Sequence, residues 1–160
     1  MIEAIAPESP ASVLAENRSR LGVAIGEQHW LVNLSEAGEI LPLPDSITPV
    51  PATKPWFQGV ANIRGSLYGV TDLSLFQGRH SIAAGKETRL LAFSESLGVN
   101  AAILITRMMG LQSMDEMIQE ESVDSNGWAG KGWVDKAGVN WRELSLAKLA
   151  RDEDFLSVNR

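Results

Sequence analysis

The chain has 160 residues, 14 basic and 20 acidic, for a formal charge of −6; that length fits one domain or two small lobes sharing a core. With 44 % hydrophobic and 21 % charged side chains, the composition is that of a folded globular chain and not a disordered one. The acidic balance opposes attraction to phosphate backbones and anionic lipids, which argues against nucleic acid and direct membrane insertion, and the lack of cysteine excludes disulfides, thiolate metal sites and a thiol nucleophile.

Residues 1–20 place Pro7 and Pro10 among small residues and are expected to form a loose arm, with Pro10 opening a short helix through Asn17. No basic region followed by an apolar stretch marks a secretory signal. No run reaches the roughly 20 apolar residues that span a bilayer, so the expectation is a soluble, cytoplasmic protein. From Leu21 the texture changes. Leu21-Gly-Val-Ala-Ile25 and His29-Trp-Leu-Val-Asn33 flank Gly26-Glu27 and predict a hairpin, with residues 37–43 as a third strand. Pro42, Pro44, Pro49, Pro51 and Pro55 then remove too many amide donors for a helix or inner strand, which predicts an irregular connection. β texture returns over residues 59–73, after which Asp72 can cap a helical turn ending near Gly78.

A second β-rich half of similar construction is expected to follow the first: Leu90-Leu-Ala-Phe93 and residues 99–106 flank Ser94-Glu-Ser-Leu-Gly98 with hairpin spacing. Ser113 and Glu116 match the S-x-x-E capping box and predict a short acidic helix over residues 114–121. Residues 128–134 and 139–141 flank Lys136-Ala-Gly138 as another hairpin. Leu144, Leu146, Leu149 and Ala150 have helical spacing after the cap Ser145, and Phe155 and Leu156 continue that packing. Many short strands between turns predict an all-β barrel or sandwich with minor helices.

Candidate chemistry is sparse. His29 and His80 are 51 positions apart with no metal-ligand spacing, so both read as structural or solvated. Ser145-Leu-Ala-Lys148 satisfies S-x-x-K, but its companion motifs are missing and Ser145 serves as a helix cap. Asp115, Glu116, Glu120, Glu121 and Asp124 read as a solvated acidic face without the spacing of a calcium loop. Gly127, Gly130 and Gly132 do not form a dinucleotide fingerprint and read as turn glycines. Met108, Met109, Met114 and Met117 read as core filler, with an adaptable partner surface as the alternative. Arg64 differs: it lies in the glycine-bounded apolar stretch Gly59-Val-Ala-Asn62-Ile-Arg64-Gly65, where a long cation is costly unless paired, which leaves two readings at this point, an ordinary strand-edge arginine and an interface arginine.

Ile47-Thr-Pro-Val-Pro51, followed by Pro55-Trp-Phe-Gln-Gly59-Val-Ala-Asn62-Ile-Arg64-Gly65-Ser-Leu-Tyr-Gly-Val70-Thr-Asp72-Leu73, resembles the signature of the CheW chemotaxis coupling family. Asn62 to Val70 and Gly138-Val-Asn-Trp141-Arg-Glu-Leu144 are similar to the PilI branch, which serves the chemosensory control of type IV pili and twitching motility. The resemblance covers about residues 21–157, which sets the expected domain. It implies two intertwined five-stranded SH3-like β-barrels with short helices, and a noncatalytic adaptor between a chemoreceptor cytoplasmic tip and the regulatory domain of a CheA-type histidine kinase, recruited to receptor arrays and needing no cofactor. Carried over by motif, Val60, Asn62, Arg64 and Gly65 fall near the receptor-binding surface, with Glu39 and Ile40 on the third strand, where the Glu39 carboxylate can pair with Arg64. The kinase domain is implied to dock through an apolar patch on the barrel nearer the C-terminal half. Gly69 departs from the family's usual proline, Tyr68 is bulkier than common there, and residues 128–141 are longer than in the shorter coupling proteins. The alternative function is a small-ligand-binding β-barrel whose five tryptophans hold a metabolite; an enzyme ranks third.

Overall fold

The computed structural model describes residues 18–160, so the helix predicted through Asn17 and most of the predicted arm lie outside the described residues. In chain order the strands are β1 Ser19–Ile25, β2 Gln28–Asn33, β3 Ala37–Pro42, β4 Phe57–Ile63, β5 Ser66–Thr71, β6 Arg89–Phe93, β7 Ala101–Ile105, β8 Arg107–Ser113, β9 Ile118–Glu120, β10 Ala129–Val134 and β11 Asn140–Leu144. Among the described residues three single-turn helices accompany them: α1 Leu73–Phe76, α2 Leu146–Leu149 and α3 Glu153–Leu156. The strands form a six-stranded sheet ordered β8-β1-β2-β11-β10-β9 and a five-stranded sheet ordered β3-β6-β7-β5-β4. The three-residue β9 is thus a sixth strand beyond the five expected.

The hairpin over β1 and β2, the proline-rich irregular connection, the β6–β7 and β10–β11 pairs and the turns capped by Asp72 and Ser145 form where the local signals place them. Asp72 caps α1, Ser145 caps α2 and Asp152 caps α3, each side chain accepting from a backbone N–H three residues on. Strand β1 starts already at Ser19, inside the predicted arm, because Ser19 and Arg20 pair with Ser113 and Gln112 of β8.

Two expectations give way to tertiary pairing. The halves do not follow one another: β1 pairs with β8, and β2 runs parallel to β11, so the N-terminal hairpin is built into the C-terminal sheet. The acidic helix over residues 114–121 is absent. Met114–Glu116 makes a single 3-10 turn, Ser113 makes no side-chain cap bond, and Ile118–Glu120 pairs with β10 instead. An extended backbone there turns Met117 into the core, at 8 % exposure, while its neighbours Glu116 and Ile118 face outward. Burial and ladder bonds outweigh a local capping signal.

The interleaving explains why Leu90-Leu-Ala-Phe93 and Ala101-Ala-Ile-Leu-Ile105 are continuously apolar. Leu91, Phe93, Ile103 and Ile105 face a core shared with Val23, Ile25, Trp30 and Leu144 of the other sheet. Leu90, Ala92, Ala102 and Leu104 face inward with Ala61, Ile63 and Val70 of their own sheet. A strand buried on both faces loses the polar alternation of a half-exposed one. The six-stranded sheet has its own smaller interior, with Leu31, Met117 and Trp141 packed against Met109, Met114, Trp133 and Val139. Three of the four grouped methionines are therefore core filler, while Met108 is 51 % exposed.

An aromatic column crosses between the sheets. Phe155 of α3 stacks on Phe93 of β6, with centroids 5.8 Å apart, and on Trp56 at 6.3 Å, and meets Phe76 edge-on at 5.7 Å. Phe76 continues to Trp128 and Trp128 to Trp30.

Candidate functional site

The register of β4 and β5, with Ile63 opposite Ser66, leaves Arg64-Gly65 as a two-residue hairpin loop. Both residues have positive φ, 52° at Arg64 and 86° at Gly65, which is the type I′ geometry that matches the twist of a two-residue hairpin. Asn62 Oδ1 accepts from the Gly65 N–H at 3.0 Å and closes the turn. Arg64 is therefore a turn-tip residue, not a strand-edge one.

Glu39 reaches this turn from the other edge of the same sheet. Ala37 pairs with Phe93 and Ile40 with Leu91, so β3 advances three residues while β6 advances two; Gly38 and Glu39 form a β-bulge. From it the Glu39 carboxylate receives Arg64 Nε at 2.8 Å (Oε1) and 3.0 Å (Oε2), and Arg64 Nη2 at 2.6 Å (Oε2). The pair is open to solvent, with the arginine side chain 74 % and the glutamate 42 % exposed. Among the described residues Arg64 Nη1 has no acceptor, so the guanidinium retains donors for a partner. Hydrogen bonding from Arg64 holds the Glu39 carboxyl below its ordinary value of 4.5, against a smaller opposing effect of burial.

Sequence-predicted residues thus divide. Glu39, Asn62, Arg64 and Gly65 meet at one turn. Val60 shares the outward face of β4 with Asn62, its backbone bonded in both directions to Thr48, while Ile40 packs half-buried against the shared core. Beside the fork lies a groove of about 360 Å³ lined by Leu41, Leu43, Asn62, Ile63, Arg64 and Leu90 among others. Sequence reasoning did not single out Leu41 or Leu43; the available signal was apolar residues alternating with Pro42 and Pro44. The family departure at Gly69 has a local cause: its N–H donates to Asn100 O at 2.9 Å, which proline lacks, and a Cβ there would lie 2.9 Å from the Phe57 ring.

The remaining candidates have structural uses. His29 lies against Trp141, centroids 5.2 Å apart, and the exposed His80 accepts from Ser74 Oγ through its backbone carbonyl. Gly130 and Gly132, read from the sequence as turn glycines, lie instead within β10, where a Cβ on Gly132 would meet Val123 at 2.7 Å and one on Gly130 would meet Glu143 at 3.1 Å, so both serve close packing. Among the described residues no three His, Asp or Glu side chains are grouped to hold a metal ion.

Residues 128–141 are organised by Asp135. Its Oδ1 accepts from the Ala137 and Val139 N–H groups, and its Oδ2 from Trp141 Nε1, each at 2.9 Å. Trp133 Nε1 likewise donates to Glu143 Oε2 at 2.7 Å. The Trp141 bond, then the backbone bond from Val139, holds the Asp135 carboxyl below its ordinary value of 3.8. A depressed folded value means that the contribution is present above the unfolded value and lost as pH falls through the folded one. Asp135→Asn should therefore melt below the wild type at pH 7, with the difference in Tm closing below about pH 4. Thermal melts across that range check it; a gap constant with pH would refute the role.

Comparison with known sequences supplies the family. The family profile described as CheW-like domain matches residues 20–153. The chain belongs to the CheW family. Protein PilI of Pseudomonas aeruginosa is 34 % identical over 94 residues, 59 % of this chain and 52 % of that protein, so the match spans about half of that relative's length. The crystal structure of the scaffolding protein TtCheW from Thermoanaerobacter tengcongensis matches with a TM-score of 0.70 at 16 % identity, over 88 % of this chain and 97 % of that one. That likeness concerns the fold: the two interleaved sheets are the CheW-like architecture.

Proposed function

We propose that the chain is a noncatalytic adaptor in chemosensory signalling, coupling the cytoplasmic tip of a methyl-accepting chemoreceptor to the regulatory domain of a CheA-type histidine kinase, in the control of type IV pili and twitching motility. Membership of the CheW family and the likeness to PilI support the pathway. The observation that carries the receptor half is the exposed Glu39–Arg64 fork, a two-point ion pair that leaves guanidinium donors facing solvent within the family's motif. Glu39, Ile40, Val60, Asn62, Arg64 and Gly65 form the proposed receptor surface. The kinase domain docks elsewhere, on the sheet that carries the C-terminal strands, where Met108, Leu111 and Ile118 are 51 %, 64 % and 77 % exposed.

No described helix is long and apolar enough to cross a membrane; in the proposed reading, association with receptor arrays runs through protein contacts. The alternative of a metabolite-binding barrel has less support, because the tryptophans are engaged with each other, with Phe76 and Phe155, or with Asp135 and Glu143. Sedimentation of the chain with a receptor tip and a kinase regulatory domain should give a ternary complex, with binary Kd values on the order of micromolar. No binding to either partner at about 100 μM would overturn the proposal.

A further inference from the structure

The Glu39–Arg64 fork depends on two backbone devices, neither of which its own side chains supply. The first is the turn. A residue bearing a Cβ is disfavoured at φ 52°, and the two-residue type I′ loop prefers Asn-Gly to Arg-Gly. Asn62 Oδ1, bonded to the Gly65 N–H, holds the loop that keeps Arg64 in this conformation. The second is the bulge. A Cβ at Gly38 would lie 2.7 Å from the Phe93 carbonyl oxygen and 3.1 Å from that of Ala92; both are backbone atoms within the sheet and neither can swing aside. Only a residue without a side chain lets β3 fold down on β6 there and turn the next residue, Glu39, toward Arg64.

We infer that Gly38 and Asn62 are positioning residues of the receptor surface: they set the angle of the Glu39–Arg64 fork through a bulge and a left-handed turn, without themselves supplying the contact. The inference rests on the receptor reading above and sharpens it. Asn62, which the motif placed among the contacts, acts through the backbone of Gly65. Arg64 occupies a left-handed position that asparagine adopts more readily, so the turn itself gives no reason for an arginine there, which fits a side chain that serves binding and not the fold.

The test has a readout that needs no partner. Exchange of the Arg64 Nε–H, followed by side-chain nitrogen NMR on the full chain, reports the fork directly. Asn62→Ala should speed that exchange and weaken receptor-tip binding about fivefold, with kinase-domain binding unchanged. Asn62→Asp, which keeps the acceptor, should restore both. Gly38→Ala should speed the exchange in the same way; if that variant does not fold, the Asn62 pair decides. Unchanged Arg64 Nε–H exchange in folded Asn62→Ala would overturn the inference, as would failure of Asn62→Asp to restore it. Arg64→Asn separates the two levels: it should keep or raise Tm while losing receptor-tip affinity. Intact affinity in Arg64→Asn would sink the receptor reading, whatever the exchange data say of positioning.

Discussion

Arg64→Glu is expected to weaken receptor-tip binding at least about tenfold while shifting Tm by less than about 2 °C and leaving kinase-domain affinity within about twofold. The substitution sets a second carboxylate against Glu39, where three hydrogen bonds of 2.6–3.0 Å now converge, so the fork opens instead of re-forming. Stability changes little because the pair is exposed and an isolated surface ion pair holds a fold only weakly. Adding Glu39→Arg restores opposite charges across the same gap, and part of the receptor affinity should return. Recovery is partial, because the guanidinium then points from the β3 bulge and not from the turn tip. Arg64→Lys discriminates between charge and shape: lysine keeps the charge but cannot hold Glu39 at two points while presenting further donors, so it should lose most of what Arg64→Glu loses. Calorimetry of the single, double and lysine variants with each partner checks the whole series. Equal loss for receptor and kinase domain would identify general damage, and an unaffected receptor affinity would remove Arg64 from the site.

The elements that local chemistry determines were legible in the sequence. Gly26-Glu27 between two apolar runs, the serial prolines, and the caps Asp72 and Ser145 each act through their immediate neighbours, and each stands where the sequence placed it. What the sequence hid was long-range. Met117 reads as part of a capped helix until the edge of β10 offers a ladder and the core of the six-stranded sheet offers a cavity for its side chain. Nor does any local signal pair β2 with β11 across more than a hundred residues, or send the Glu36 carboxylate to the Leu146 and Ala147 N–H groups at the start of α2. The candidate site was half legible. Arg64 stood out as a cation among apolar residues, and the motif resemblance supplied Glu39 as its partner. That Gly38 forms a bulge and that Arg64 adopts a left-handed turn are consequences of strand register, which composition and spacing do not reveal.

Phe155→Ala should produce the largest stability loss of any substitution considered, about 4 kcal/mol, lowering Tm by roughly 10 °C. The ring is 4 % exposed and stacks between Phe93 of β6 and Trp56 of the proline-rich connection, nearly parallel to both at 7° and 9°. Truncation removes the buried area and leaves a cavity bounded by rigid aromatic rings that cannot collapse to fill it. The damage extends beyond the cavity because α3 also anchors the chain end: Lys54 N–H donates to Val158 O at 2.8 Å and Arg160 N–H to Ala52 O at 2.9 Å, tying the terminus to the connection that leads into β4. Leu156→Ala is the control, since that neighbour is 49 % exposed and its loss should cost less than about 1 kcal/mol. Receptor-tip affinity measured well below the lowered Tm should stay within about twofold, because the fork is held by β3 and the β4–β5 turn and not by α3. Urea unfolding of both variants checks the energies. A loss below about 1 kcal/mol for Phe155→Ala would show that the aromatic column does not join the two sheets.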